Sequence, residues 1–168
     1  MISVKDLTKK YDGFTALNNI SFEIKKGEIC GYIGTNGAGK STTVKILSGI
    51  LGFESGTVLI NDTDVSKDPV QVKRFTGYVP ESADLFNSLS PVEFFNFAGK
   101  VRDMSDKLIS KRINLFAELF GYTDLINDSI GNLSKGNKQK VLITSALMHD
   151  PPVIFLDEPL NGLDTNSI

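Results

Sequence analysis

Apolar and polar positions alternate in part from 2 to 8, the two-residue period of a half-buried strand. Lys9-Lys10-Tyr11-Asp12-Gly13 breaks the pattern and predicts a turn. A second strand is expected over 16–24, with Ile20, Phe22 and Ile24 on one face. Lys26-Gly27-Glu28 then reads as a tight turn, and the apolar run Ile29-Cys30-Gly31-Tyr32-Ile33 as a short buried strand. The period changes after Gly34-Thr35-Asn36-Gly37-Ala38-Gly39-Lys40-Ser41: residues 42–48 predict a helix that stops at Gly49. Beyond a loop at 52–56, a strand is expected over 57–60 and a turn over 61–64. A short helix over 69–75 has proline in its first turn, and a brief strand over 77–79 stops at Pro80.

From 90 to about 127 the pattern is helical. Ser90-Pro91-Val92-Glu93 is a capping box with proline at the first helical position. Its helix carries Phe94, Phe95, Phe97, Ala98 and Val101. Ser105 caps a second helix whose apolar stripe is Leu108, Ile109, Ile113, Phe116, Leu119 and Phe120, with Gly121 as the stop. The expectation is a helical insert with a small core of its own. So many aromatic residues on so short an insert also suit a docking surface. Ser134 caps a further helix bearing Val141, Leu142, Ala146 and Leu147, which Pro151-Pro152 ends. A last apolar strand, 153–156, runs into Asp157-Glu158.

Residues 34–41 fit G-x-x-x-x-G-K-[ST] between a predicted strand and a predicted helix, the setting of a phosphate-binding loop. Glycines let backbone N–H groups converge on an anion. The helix N-terminus adds roughly half a positive charge. Lys40 adds a full one, and Ser41 offers a hydroxyl to Mg²⁺. A glycine-rich turn of no chemical use is the competing reading, and the four filled positions weigh against it. Ligands of parallel α/β sheets sit at the carboxyl ends of strands, so Asp157 and Glu158 are expected beside this loop. Asp157 would hold Mg²⁺ through water, and Glu158 would polarise the attacking water. An acid pair at a strand end can also be a surface turn. Ser134 and Gly136 at a helix start form a second anion-ready terminus, though such a pair is most often only a cap. Tyr11 can stack on a purine base or be an ordinary edge aromatic, and its spacing does not decide.

Composition narrows the classes. With 168 residues the chain has room for one domain with a real core, and its hydrophobic fraction of 40% and charged fraction of 23% are those of a globular protein. A net charge of −2 gives no general nucleic-acid binder. The single cysteine, Cys30, excludes an internal disulfide and reads as a small core residue. Met1-Ile2-Ser3-Val4-Lys5-Asp6 does not read as a signal peptide, and no stretch is apolar enough to span a bilayer.

Together these motifs resemble one family, the nucleotide-binding domain of ABC transporters. The loop at 34–41 is similar to its Walker A, Leu133-Ser134-Lys135-Gly136-Asn137 to its signature motif (usually Leu-Ser-Gly-Gly-Gln), 153–158 to Walker B with the catalytic glutamate, and Asn161-Gly162-Leu163-Asp164 to the D-loop. The resemblance implies an α/β P-loop fold of ABC type: a mixed sheet core, an N-terminal antiparallel β subdomain and an α-helical subdomain, with the last core strands missing. It divides one incomplete domain into a core with Walker A (1–80), a Q-loop and helical subdomain (81–132), and signature helix, Walker B and D-loop (133–168). It implies that Tyr11 stacks on adenine. ATP would be held by Tyr11, Ala16, Gly34, Thr35, Asn36, Gly37, Ala38, Gly39, Lys40, Ser41 and Thr42, with Ser134 and Gly136 supplied by a second copy paired head to tail. Mg²⁺ would be held by Ser41, Glu81 and Asp157, and Glu158 would be catalytic. The implied setting is cytoplasmic, on the inner face of the cell membrane, beside a membrane permease and with no nucleic-acid partner.

Three departures from the family pattern matter. Glu81 stands at the usual Q-loop glutamine, and with Leu-Ser-Lys-Gly it resembles the ABC-2 exporter branch. Lys135 and Asn137 replace Gly and Gln in the signature. The family's switch histidine lies about thirty residues past Walker B. The one histidine, His149, precedes Walker B and reads as a helix-end residue. The chain is therefore expected to be a shortened piece of a longer domain, with weak hydrolysis of its own. Two other classes stay in view. An ABC-type ATPase acting on ribosomes or DNA usually carries two cassettes or long insertions, and a simple P-loop kinase or GTPase would lack 134–137 and 161–164.

Overall fold

A computed structural model describes residues 1–81 and 85–158. The chain forms two compact units, Met1–Thr76 and Gly77–Ile168.

The first unit is built on the predicted alternation. Strand β1 (Ile2–Tyr11) and β2 (Phe14–Ile24) form an antiparallel hairpin with Ile2 opposite Ile24 and Tyr11 opposite Phe14. The turn is Asp12-Gly13, with Gly13 at φ 77°. Lys9, Lys10 and Tyr11 thus lie in β1 rather than in the expected turn. Pairing with the start of β2 outweighs the low strand preference of two lysines. Strand β3 (Ser55–Ile60) pairs with the other edge of β1, and the two-residue β4 (Thr63–Asp64) adds to it, giving the order β2-β1-β3-β4. Ile2, Val4, Leu7, Leu17, Val58 and Ile60 are buried in this sheet. Helix α1 (Lys40–Leu47) buries Thr43, Ile46 and Leu47 and stops at Gly49, which has φ 67°. Helix α2 (Pro69–Arg74) starts where the Asp68 carboxylate accepts from the Gln71 N–H at 2.9 Å.

One expected strand does not form. No ladder reaches residues 29–33 among the described residues, and Ile29 and Ile33 are 102% and 94% exposed. Cys30 is exposed too, not a core residue. An apolar run only prepares a strand; a neighbouring strand must supply its hydrogen bonds. The four-stranded sheet of this unit closes without one.

In the second unit β5 (Thr76–Val79) and β6 (Val153–Leu156) make a two-stranded sheet. Helices α3 (Pro91–Val101), α4 (Asp106–Leu119) and α5 (Lys135–Leu147) enclose a core of Phe95, Ile109, Ile113, Phe116, Tyr122 and Val141. Both halves of the Ser90–Glu93 capping box are present. Ser105 caps α4 and Ser134 caps α5 as expected. The helical stripes are narrower than their apolar residues suggest. Phe97, Val101, Leu108 and Leu119 are exposed, because only Ile109, Ile113, Phe116 and Ala117 keep the inward spacing along α4. Val79 packs with Leu142 and Ala146, which lays α5 on β5.

Candidate functional site

The loop from Gly34 to Ser41 hangs on two left-handed glycines. Gly37 has φ 80° and Gly39 φ 85°. A Cβ on Gly39 would lie 2.6 Å from Leu17 Cδ2 and 2.7 Å from the Ala16 carbonyl oxygen. The space below the loop is thus filled by β2, and only glycine meets both demands there. Ala16, one of the expected ATP contacts, lies directly against the loop at Gly39. The turn is closed by the Ala38 N–H donating to the Thr35 carbonyl at 3.2 Å.

Lys40 begins α1 and folds back over the loop. Its Nζ donates to the Gly34 carbonyl at 2.8 Å and to the Thr35 carbonyl at 2.9 Å. No side chain caps α1, and its first turn holds no acidic residue. The positive end of its dipole lies at the loop, where an anion is favoured. Ser41 and Thr42 occupy the same turn, half-buried. Thr43 Oγ1 ties the helix back to the Gly39 carbonyl at 3.0 Å. Loop, lysine and helix terminus together make a mould for a string of phosphates.

Tyr11 stands at the end of the first hairpin, 46% exposed. Lys9 Nζ lies over its ring, 5.3 Å from the centroid. The same ammonium donates to Glu54 Oε1 at 2.8 Å, and Glu54 Oε2 accepts from the Lys10 N–H at 2.6 Å. The Lys9 hydrogen bond, and after it the Lys10 one, hold the Glu54 carboxyl below the usual glutamate range. Lys9 and Glu54 were missed in the sequence, where one fell in a turn and the other in a loop. The available signal was the two-residue spacing of Lys9 and Tyr11, which puts both on one face of a strand.

In the second unit, Ser134 is the N-cap of α5, and its Oγ accepts from the Asn137 N–H at 3.2 Å. Gly136 lies in that first turn, again without an acidic residue. The Asp157 N–H donates to the Val79 carbonyl at 2.8 Å, so the ends of β5 and β6 are neighbours. Glu81, Asp157 and Glu158 therefore leave the sheet at the same end. Asp157 is buried, while Glu81 and Glu158 are exposed. Glu158 has φ 48°, a left-handed conformation that a glutamate adopts at some cost. Burial first, and then the Asp157 charge, raise the Tyr78 hydroxyl above its ordinary value. Among the described residues no three His, Cys, Asp or Glu side chains converge on an ion site. The D-loop motif 161–164 lies outside the described residues.

A glycine-pinned loop feeding an uncapped helix, with lysine at its first position, defines a P-loop nucleotide-binding cassette. The family model described as ABC transporter matches residues 17–161, and the chain belongs to that family. It is 34% identical to the probable multidrug ABC transporter ATP-binding protein YbhF of Escherichia coli, over 98% of this chain and 28% of that protein. It is 35% identical to the linearmycin resistance ATP-binding protein LnrL of Bacillus subtilis, over 99% of this chain and 54% of that protein. Among solved structures, the dimeric ATP-binding cassette MJ0796 in a post-hydrolysis state with ADP and Pi superposes with a TM-score of 0.91 at 27% identity, covering 99% of this chain and 78% of that one. The chain thus spans about half or less of these two curated relatives. Among the described residues, no helix is long and apolar enough to cross a membrane.

Proposed function

We propose that this chain binds ATP with Mg²⁺ and, as the ATP-binding subunit of a transporter, hydrolyses it to drive a membrane permease partner. The observation that carries the reading is Lys40 held against the Gly34 and Thr35 carbonyls above an uncapped helix start. Phosphate oxygens replace those two neutral carbonyl partners with anionic ones, and the loop N–H groups converge on the same anion. Mg²⁺ fits the donors. It prefers one or two carboxylates, water and substrate phosphates over an all-protein cage. Ser41, Glu81 and Asp157 are its proposed donors, and it supplies neutralisation of the phosphate charge. Glu158, exposed and unusually placed by its backbone, orients and deprotonates the attacking water. Ser134 and the Gly136 N–H group close the site from a second copy.

The exposed Phe86 and Phe97 beside the half-buried Phe94 support our reading that the helical segment meets the permease at the cytoplasmic face of the membrane. Export is the direction favoured by Glu81, by the Leu-Ser-Lys-Gly signature and by the multidrug and resistance names of the relatives.

Calorimetric titration tests the binding step. Replacing Lys40 with Met removes a charged donor worth about 1.5–3 kcal/mol, so ATP affinity falls roughly ten- to a hundredfold. Inorganic tripolyphosphate loses affinity in parallel. Unchanged affinity for both in Lys40→Met contradicts the reading.

A further inference from the structure

The contact of Lys9 with Tyr11 and Glu54 has no part in the chemistry just described. Lys9 is a lysine whose side chain is only 12% exposed, on the strand that ends at Tyr11. Its ammonium is fixed from two sides. Glu54 Oε1 takes one N–H at 2.8 Å, and the Tyr11 ring lies within cation–π reach at 5.3 Å. Glu54 is itself anchored. Its other oxygen accepts from the Lys10 N–H at 2.6 Å, and its own N–H donates to the Thr8 carbonyl at 3.1 Å. Gly56, two residues on, has φ 105°, and a Cβ there would come 2.6 Å from the Lys5 carbonyl. That close approach sets the start of β3 against β1 and holds Glu54, the residue before it, beside Lys9 and Lys10.

We propose that Lys9 and Glu54 are positioning residues for the Tyr11 ring: the carboxylate holds the ammonium against one face of the phenol, and the other face is presented to the purine of the nucleotide. This rests on the reading of Tyr11 as the base-stacking residue. Two consequences follow from the arrangement. The ring loses its freedom to turn before the nucleotide arrives, which lowers the ordering cost of binding. A cation on one face also draws π density away from the other, which favours stacking against an electron-rich purine.

The test separates base from phosphate. ATP and inorganic tripolyphosphate are titrated calorimetrically into the unmodified chain and into Lys9→Met, Lys9→Arg, Glu54→Gln, Tyr11→Leu and the double variant Lys9→Met/Tyr11→Leu. Lys9→Met and Glu54→Gln should each weaken ATP about two- to fivefold, the size of one cation–π contact. Tripolyphosphate affinity should stay unchanged, and Lys9→Arg should retain ATP affinity. In the Tyr11→Leu background the Lys9 change should add nothing. ATP affinity left intact in Lys9→Met, equal loss of tripolyphosphate, or additive effects in the double variant would overturn the proposal while leaving Tyr11 as the stacking residue. ATP affinity left intact in Tyr11→Leu would overturn the reading of Tyr11 itself, and the positioning role with it.

Discussion

Gly39 carries two constraints on one backbone position. Its φ of 85° favours glycine, and the space a side chain would enter holds the Ala16 carbonyl and Leu17. Gly39→Ala should lower stability by about 1–3 kcal/mol, since a left-handed non-glycine residue costs that much before any collision. Urea unfolding measures it, with a reduced midpoint and little change in slope. A midpoint within error of the unmodified chain would mean that the loop relaxes freely. Residues of this kind were legible in the sequence, because the motif requires glycine for a local reason. Lys9 and Glu54 were not. They are separated by 45 positions, and nothing near either residue marks the pairing. Tyr11 lay between these cases, since its type suits a stacking ring and its spacing left the matter open.

Helix ends were the most legible elements because caps are local chemistry. Ser90 Oγ and the Ser90 N–H both donate to Glu93 Oε2 at 2.8 Å, and Ser134 Oγ caps α5 by accepting from the Asn137 N–H. Ser90→Ala should cost about 1 kcal/mol, the usual size of a lost N-cap. The box also sets a pH dependence. The backbone N–H and then the hydroxyl of Ser90 hold the Glu93 carboxyl below the usual glutamate range. A depressed carboxyl stabilises the fold above its unfolded value, and that share is lost as pH falls through the lowered folded value. Urea midpoints followed by circular dichroism from pH 6 down to pH 3 should therefore fall less steeply in Glu93→Gln than in the unmodified chain. Identical profiles would remove Glu93 from the acid response. Strands were harder to read. Residues 29–33 have the apolar content of a buried strand, yet their pairing depends on a neighbour remote in sequence, and none is bonded to them among the described residues. The hairpin erred in the opposite direction, as β1 runs on through Lys9 and Lys10 because β2 returns directly beside it.

At the scale of the molecule, the first unit holds the phosphate loop and the Tyr11 ring, and the second holds the Ser134 helix start and the acidic strand ends. Family and fold were legible because the motifs are short, local and fixed in order. The likeness of 0.91 in TM-score to a dimeric cassette agrees with them. We propose that Gly34–Ser41 is half of an ATP site and that Ser134 and Gly136 of a second copy complete it. Light scattering on Glu158→Gln with ATP and Mg²⁺ tests this most directly. If Glu158 is the general base we propose, its loss slows hydrolysis on the order of 10²–10⁴-fold, so bound ATP persists. The expected result is twice the monomer mass with ATP and the monomer mass with ADP. A monomer under saturating ATP, with binding confirmed by titration, would contradict it.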